Sequence, residues 1–204
     1  MKPNLKSLIL FVFISLLLGC KTSHVIPLND IPTRVGGMEK KESLVIVRIG
    51  DRLSNLNHKI VPSTYAGSAH SFSFVIGPSL KKTLLNSVGS VYERAFENGE
   101  AIFSDDDNDI YVNFYLSDSR GEMLVYGSGV SSTYSLHYNL TVIMEVTDKK
   151  NNETVRSYTL SGSSNSHASQ GLFSDIQTDT LGMAVDNSIR QVADQATNFL
   201  LKEN

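Results

Sequence analysis

The amino-acid sequence predicts an α+β domain in which two amphipathic helices pack on one face of a twisted, mainly antiparallel sheet of about four to five strands. Three observations support this prediction. Residues 132–148 alternate between apolar and polar side chains, two other segments show helical periodicity, and turn-forming residues separate the extended runs. The chain has 204 residues, of which 41% are apolar and 19% charged, and this is enough material for one core.

The first predicted strands come from short apolar runs. SLVIVRIGDR (43–52) is rich in β-branched residues and is typical of a buried strand. Residues 51–70 have the composition of a loop, and SFSFVIG (71–77) predicts a short edge strand. In DIYVNFYLSD (109–118), apolar residues alternate with Tyr and Asn, and the following SRGE (119–122) predicts a turn.

The clearest strand is STYSLHYNLTVIMEVTD (132–148). Its alternation predicts an antiparallel sheet with one face in water. A turn at DKKNN then leads to a hairpin partner at 153–164, and a Ser- and Gly-rich loop is expected over 161–175.

Two segments predict helices. In 77–99, Pro78 suits the first turn, Asn98-Gly99 suits the end, and Gly89 within the helix suggests close packing against another element. The second helix is predicted over 178–201. Its apolar stripe consists of Leu181, Val185, Ile189, Val192, Ala196 and Phe199.

The amino-terminal segment predicts export. Lys2 and Lys6 precede the eleven-residue run Leu8–Leu18, which is apolar except for Ser15. A membrane-spanning helix needs about 20 residues, so this run is too short to span and fits a secretory signal peptide over 1–19.

The single cysteine follows directly. Leu17-Leu18-Gly19-Cys20 resembles the lipobox of bacterial lipoproteins, in which the Cys sulfur receives diacylglycerol and the small residue before it permits cleavage. The resemblance implies cleavage between Gly19 and Cys20 and a lipidated, palmitate-bearing Cys20. The competing interpretations, a core cysteine or a reactive thiol, lack a supporting local pattern. In lipoproteins of this kind, Asp directly after the cysteine implies retention in the inner membrane. Here Lys21 follows, so the resemblance implies that the protein is anchored in the outer membrane and faces the periplasm.

The rest of the chain divides at a composition change. Residues 20–42 hold two prolines and a Gly-Gly pair without periodicity, and they predict a lipidated, flexible tether, although Val25, Ile26 and Leu28 could dock on the domain. Residues 43–204 predict a single periplasmic domain.

No motif predicts catalysis, a cofactor or a metal site. Asp105, Asp107 and Asp109 have the spacing that opens a calcium loop, but the required Gly and Glu are missing, which favours a solvated turn. Ser79 in SLKK fits first-turn helix chemistry better than a serine nucleophile. The five histidines form no sequence motif, and a net charge of −3 without a Lys/Arg cluster predicts no nucleic-acid partner.

The remaining candidate is a polar sheet face dotted with aromatic residues. It can bind a protein partner, and the pattern fits an ordinary solvated surface equally well. The candidate partner-binding residues are Tyr111, Asn113, Tyr115, Ser135, His137 and Asn139.

The order strand–helix–strand–hairpin–helix behind a lipobox resembles small periplasmic lipoproteins of the YajG and PqiC type, as does the Asp/Arg-containing loop IGDRLSN (49–55) after the first strand. The resemblance implies a non-enzymatic accessory lipoprotein that binds a protein partner in an envelope or transport assembly. The alternative is a module that binds a lipid, a glycan or a peptidoglycan fragment.

Overall fold

The computed structural model describes residues 22–29, 31, 39–63, 70–98, 110–128, 131–149, 154–171 and 175–203. These residues form an α+β fold, as predicted. The strands are β1 (Thr22–Ile26), β2 (Lys41–Ile49), β3 (Asn57–Ile60), β4 (His70–Val75), β5 (Tyr92–Glu97), β6 (Ile110–Ser128), β7 (Ser131–Asp148) and β8 (Thr154–Gly171). The helices are α1 (Asp51–Ser54), α2 (Gly77–Val91) and α3 (Thr178–Lys202).

The main sheet has five strands in the order β5-β2-β6-β7-β8. The long strands β6, β7 and β8 pair antiparallel, as the alternation predicted. Strand β2 pairs in parallel with both β5 and β6, which makes the sheet mixed. A second sheet, which the sequence did not predict, has three strands in the order β1-β4-β3.

Strand β7 confirms the predicted alternation. Its even-numbered side chains from Tyr134 to Val146 are buried, and its odd-numbered side chains over the same stretch are half-buried. The buried side chains face α3, which packs on β7 and β8. The three-stranded sheet covers the same face farther along β6, where Ile60 of β3 lies against Gly121. Both layers therefore cover one face of the main sheet.

Three expectations about the strands were wrong. The predicted turn at 119–122 is part of β6, and the pairing with β7 shifts at a bulge between Leu116 and Asp118. The bulge shifts the side chains of β6 by one position, so the alternation of apolar and polar residues is interrupted there. The predicted loop over 161–175 begins within β8, which continues to Gly171. The predicted edge strand β4 lies between β1 and β3.

Two further segments differ from the prediction. The helix expected over 77–99 ends at Val91, and Tyr92 adopts an extended backbone that starts β5. Pairing with β2 provides backbone partners there, which local helical periodicity cannot reveal. The expected loop over 51–70 contains α1 and β3, and the fully buried side chain of Leu53 holds α1 against the core.

Residues 22–29, expected within the tether, are built into the fold. Strand β1 pairs in parallel with β4 and its last residue, Ile26, is buried. Asn29 then contacts both long helices. Its Nδ2 donates to Oδ2 of Asp186 on α3 at 3.1 Å, and its carbonyl accepts a hydrogen bond from the Ser79 hydroxyl on α2 at 3.0 Å.

Close packing of α3 depends on Gly162 in β8. A β-carbon added to Gly162 would lie 2.0 Å from the backbone carbonyl oxygen of Ser188. At Gly89, where the sequence suggested close packing, an added β-carbon meets no atom within 4 Å, so that expectation was wrong.

The two glycines therefore predict opposite effects of the same substitution. Gly162→Ala forces α3 away from the sheet and is expected to lower the free energy of unfolding by about 1–3 kcal/mol. Gly89→Ala removes backbone freedom from the unfolded chain and is expected to raise it by about 0.5–1 kcal/mol. Urea unfolding of the two variants measures both effects, and equal midpoints would contradict the assigned packing.

Buried Asp186 predicts a pH-dependent variant. Burial raises the pKa of its carboxyl above the usual 3.8, and the bond from Asn29 and the charge of Arg190 only partly oppose this. Between 3.8 and the raised pKa, the folded state binds more protons than the unfolded state, so this carboxyl lowers stability as pH rises. We expect the stability of Asp186→Asn relative to the natural chain to increase over that window.

The measurement is urea unfolding of both chains at a series of pH values. Asp194→Asn, which removes an exposed carboxylate from the same helix, is the control for loss of charge alone. The assigned effect of burial would be contradicted if the free energy of unfolding of Asp186→Asn, minus that of the natural chain, decreased as pH rises.

Candidate binding surface

The candidate surface is the face of β6–β8 opposite α3, and we call its side chains the polar surface. Its members on neighbouring strands stand side by side because their residues are direct pairing partners. From β6 it includes Asp118, Arg120 and Glu122, from β7 Ser135, His137, Asn139 and Thr141, and from β8 Ser161, Ser163, Asn165 and His167. Among the described residues, no helix or second sheet packs on this stretch.

The predicted residues of β7 are at the centre of the polar surface. His137 Nδ1 lies 2.6 Å from Oδ1 of Asn165, and Asn139 Nδ2 lies 2.9 Å from His137 Nε2. Because the amide oxygen only accepts and the amide nitrogen only donates, Nδ1 carries the hydrogen and Nε2 accepts. The bond to Asn165 joins β7 to β8, and the two bonds together hold the imidazole in one orientation. Ser135 is half-buried one position farther along the same face.

The predicted residues of β6 occupy a different part of the same face. Tyr115 is 43% exposed and pairs with Ile143, four residues along β7 from Asn139, or about 13 Å. Asn113 is half-buried opposite Glu145. The six predicted residues therefore share a face but form two groups.

Tyr111 offers little surface to a partner. It is only 7% exposed, and the Arg48 guanidinium and the Lys149 ammonium lie 4.4 and 4.8 Å from its ring centroid. Cations at this distance are attracted to the face of an aromatic ring. Tyr111 thus supports this end of the sheet through the two cations.

The bulge in β6 forms a polar pocket that the sequence did not reveal. Strand β2 pairs with β6 only as far as Phe114, and beyond it the bulge, α1 and the start of β3 enclose about 340 Å³. The lining residues are Arg52, Asn55, Leu56, Asn57, Leu116, Ser117, Asp118 and Ser119. Small-molecule sites are lined mainly by apolar side chains, and this pocket is mainly polar.

The free edge of β8 is covered by side chains from α3. The carboxamide of Gln195 accepts from the Ser161 N–H at 3.0 Å and donates to the Ser161 carbonyl at 2.6 Å. Gln191 makes the same pair of bonds with Ser163, both at 3.0 Å. An uncovered strand edge is a template for adding another strand, and the two glutamines prevent this in the middle of β8.

Groups with shifted pKa values lie on the covered side of the main sheet. Burial raises the pKa of Tyr138 to about 12, and burial lowers the pKa of His58, whose ring stands edge-on to Tyr138. Catalytic sites typically gather such groups in one cleft that substrate can reach. The polar surface presents hydroxyls, carboxamides and a few charges.

Two histidines that are far apart in the sequence are close in space. His24 Nε2 lies 3.1 Å from His70 Nδ1 across β1 and β4, although the histidines form no sequence motif. Burial, followed by repulsion from His24, lowers the pKa of His70. In the described ranges, no three His, Cys, Asp or Glu side chains group around a possible metal position.

Several predicted features lie outside the described residues: Gly19, Cys20 and Lys21, and the acidic triplet Asp105, Asp107 and Asp109. Across the part of the chain that is described, no helix combines the length and apolar character needed to span a membrane.

Comparison with known proteins identifies the fold. The chain resembles a crystal structure of a Xanthomonas campestris protein of the family DUF330, with a TM-score of 0.53 at 10% identity, covering 87% of this chain and 94% of that one. It shares this protein's fold. No family model matches the sequence, and no curated protein matches it.

Two other structures align at lower similarity. A minor lipoprotein from Acinetobacter baumannii has a TM-score of 0.35 at 10% identity, with 79% of this chain and 95% of that chain covered. A Helicobacter pylori protein described as a homologue of neuraminyllactose-binding hemagglutinin has a TM-score of 0.44 at 14% identity, with 86% and 93% covered.

Proposed function

We propose that this chain is a lipid-anchored, non-enzymatic protein of the outer membrane that faces the periplasm and binds a protein partner of an envelope assembly. The observation that carries the proposal is the polar surface, a long sheet face that no described element covers. At its centre, the bonds of His137 to Asn165 and Asn139 hold the recognition groups in place before a partner arrives. Groups that are already ordered lose less conformational entropy on binding.

The anchor part of the proposal rests on the sequence LLGC at residues 17–20, with residues 1–19 as a signal peptide. Stable attachment requires at least two acyl chains, because a single chain binds a membrane only marginally. A diacylglycerol on Cys20 supplies two.

A glycan or peptidoglycan fragment is the alternative ligand. Ser161, Ser163 and Asn165 present hydroxyl and carboxamide groups to solvent, which suit a polyhydroxylated ligand. The version of this alternative in which a lipid lies between sheet and helices is not favoured, because α3 approaches to direct contact at Gly162.

The anchor is tested with Cys20→Ser. We expect this variant to fold and to lose incorporation of radiolabelled palmitate, because the sulfur that forms the thioether is absent. Lys21→Asp is the matched control: it should keep the label and move from the outer-membrane to the inner-membrane fraction. Palmitate retained in Cys20→Ser would refute the assignment of Cys20.

The binding surface is tested by photo-crosslinking in living cells. A photoreactive residue at Ser163 or Thr141 on the polar surface is expected to capture one protein reproducibly. The same residue at Asp194 or Asn198, which are exposed on α3, should capture much less. Equal capture from both sides, or none from the polar surface, would contradict partner binding there. Capture of peptidoglycan fragments at Ser163 would favour the alternative ligand.

A further inference from the structure

The imidazoles of His24 and His70 are close enough for both to contact one metal ion. Strands β1 and β4 pair in parallel with His24 opposite Phe72 and His70 opposite Thr22, so the two histidines are diagonal neighbours on one face. Their nitrogens Nε2 and Nδ1 lie 3.1 Å apart. Two nitrogens bound to one tetrahedral zinc at 2.0–2.1 Å are about 3.3 Å apart, which is close to this distance, and rotation of the rings directs both lone pairs at one ion.

Aromatic neighbours hold both rings in place. The His24 ring stacks on Phe72 with centroids 5.0 Å apart and planes 16° from parallel. The His70 ring stands edge-on to Tyr134 at 5.9 Å and 88°. The Tyr134 hydroxyl donates to Oε1 of Gln170 at 3.1 Å, which fixes this support in turn. Ligands on paired strands with locked rings are preorganised for binding.

Both histidines are half-buried, at the margin of the interior. This position orders the rings and leaves a path for an ion and its water from solvent. We propose that His24 and His70 form a binding site for a divalent transition-metal ion of the zinc or copper class, with His24 Nε2 and His70 Nδ1 as protein ligands.

Binding replaces the hydrogen bond between the rings. When both rings are neutral, one of the facing nitrogens carries a hydrogen, and that ring must change tautomer so that its hydrogen moves to the opposite nitrogen. Each ring then keeps one N–H and offers one lone pair to the ion, and no net proton is released. Water completes the coordination. The ion links β1 to β4, and this inference does not depend on lipid attachment or on a protein partner.

The test uses the full chain purified in detergent and freed of metal, titrated with Zn²⁺ against a chromogenic chelator. We expect one ion per chain. His24→Phe and His70→Phe, which keep an aromatic ring against Phe72 and Tyr134, should each weaken binding at least tenfold. His167→Phe on the polar surface is the matched control and should leave the affinity unchanged. Affinities within twofold of one another for all chains would overturn the proposal.

A second measurement needs no substitution and therefore decides the matter even if a variant fails to fold. Nitrogen NMR of the imidazoles in the natural chain should show zinc-induced shifts at His24 Nε2 and His70 Nδ1. Bound Cu²⁺ should show hyperfine coupling to two nitrogens in its EPR spectrum. Shifts confined to His137 or His167, or no shift at any histidine, would overturn the site.

Discussion

Direct backbone contact between α3 and the main sheet determines how the other elements are arranged. The Ser188 carbonyl occupies the space that a β-carbon on Gly162 would need, and the Ser188 hydroxyl lies 3.1 Å from the Tyr138 carbonyl and 2.9 Å from that of Ala184. Because α3 lies so close to the sheet, Gln191 and Gln195 reach the edge of β8 and form hydrogen bonds with its backbone groups. The same contact therefore fills the covered face and closes part of the free edge.

The sequence predicted the elements whose signal is local. Strand β7 lies between two long strands with one face buried, so its side chains alternate and the pattern is visible. Strand β8 is at the edge of the sheet and also has one face buried, but α3 lies so close to it that three of its buried positions are Gly162, Ser166 and Ala168. Small residues at buried positions remove the apolar signal, and the segment resembles a loop. Strand β5 could not be predicted for another reason: its pairing partner β2 is distant in the chain.

The candidate sites also divide into those with a local sequence signal and those that depend on distant parts of the chain. Ser135, His137 and Asn139 were placed on one face correctly, because their spacing in a single strand fixes their direction. The burial of Tyr111 could not be foreseen, because it depends on Arg48 from β2 and on Lys149 beyond the end of β7. The histidine pair and the pocket at the bulge had no sequence signal. The histidine pair forms only because β1 and β4, which are distant in the chain, pair in parallel. The pocket forms only because β2 stops pairing with β6 just before the bulge in β6.

Because β1 is part of the fold, the distance between the domain and the membrane is short if Cys20 carries lipid. A tether over 20–42 would have a reach of roughly 25 Å, whereas two extended residues from Cys20 to the start of β1 span only about 7 Å. The domain is then held against the membrane through the three-stranded sheet. That sheet covers the same face of the main sheet as α3, and the polar surface lies on the opposite face. The proposed anchor and the proposed binding surface thus lie on opposite sides of the main sheet, so a protein bound to the polar surface would not meet the element next to the lipid.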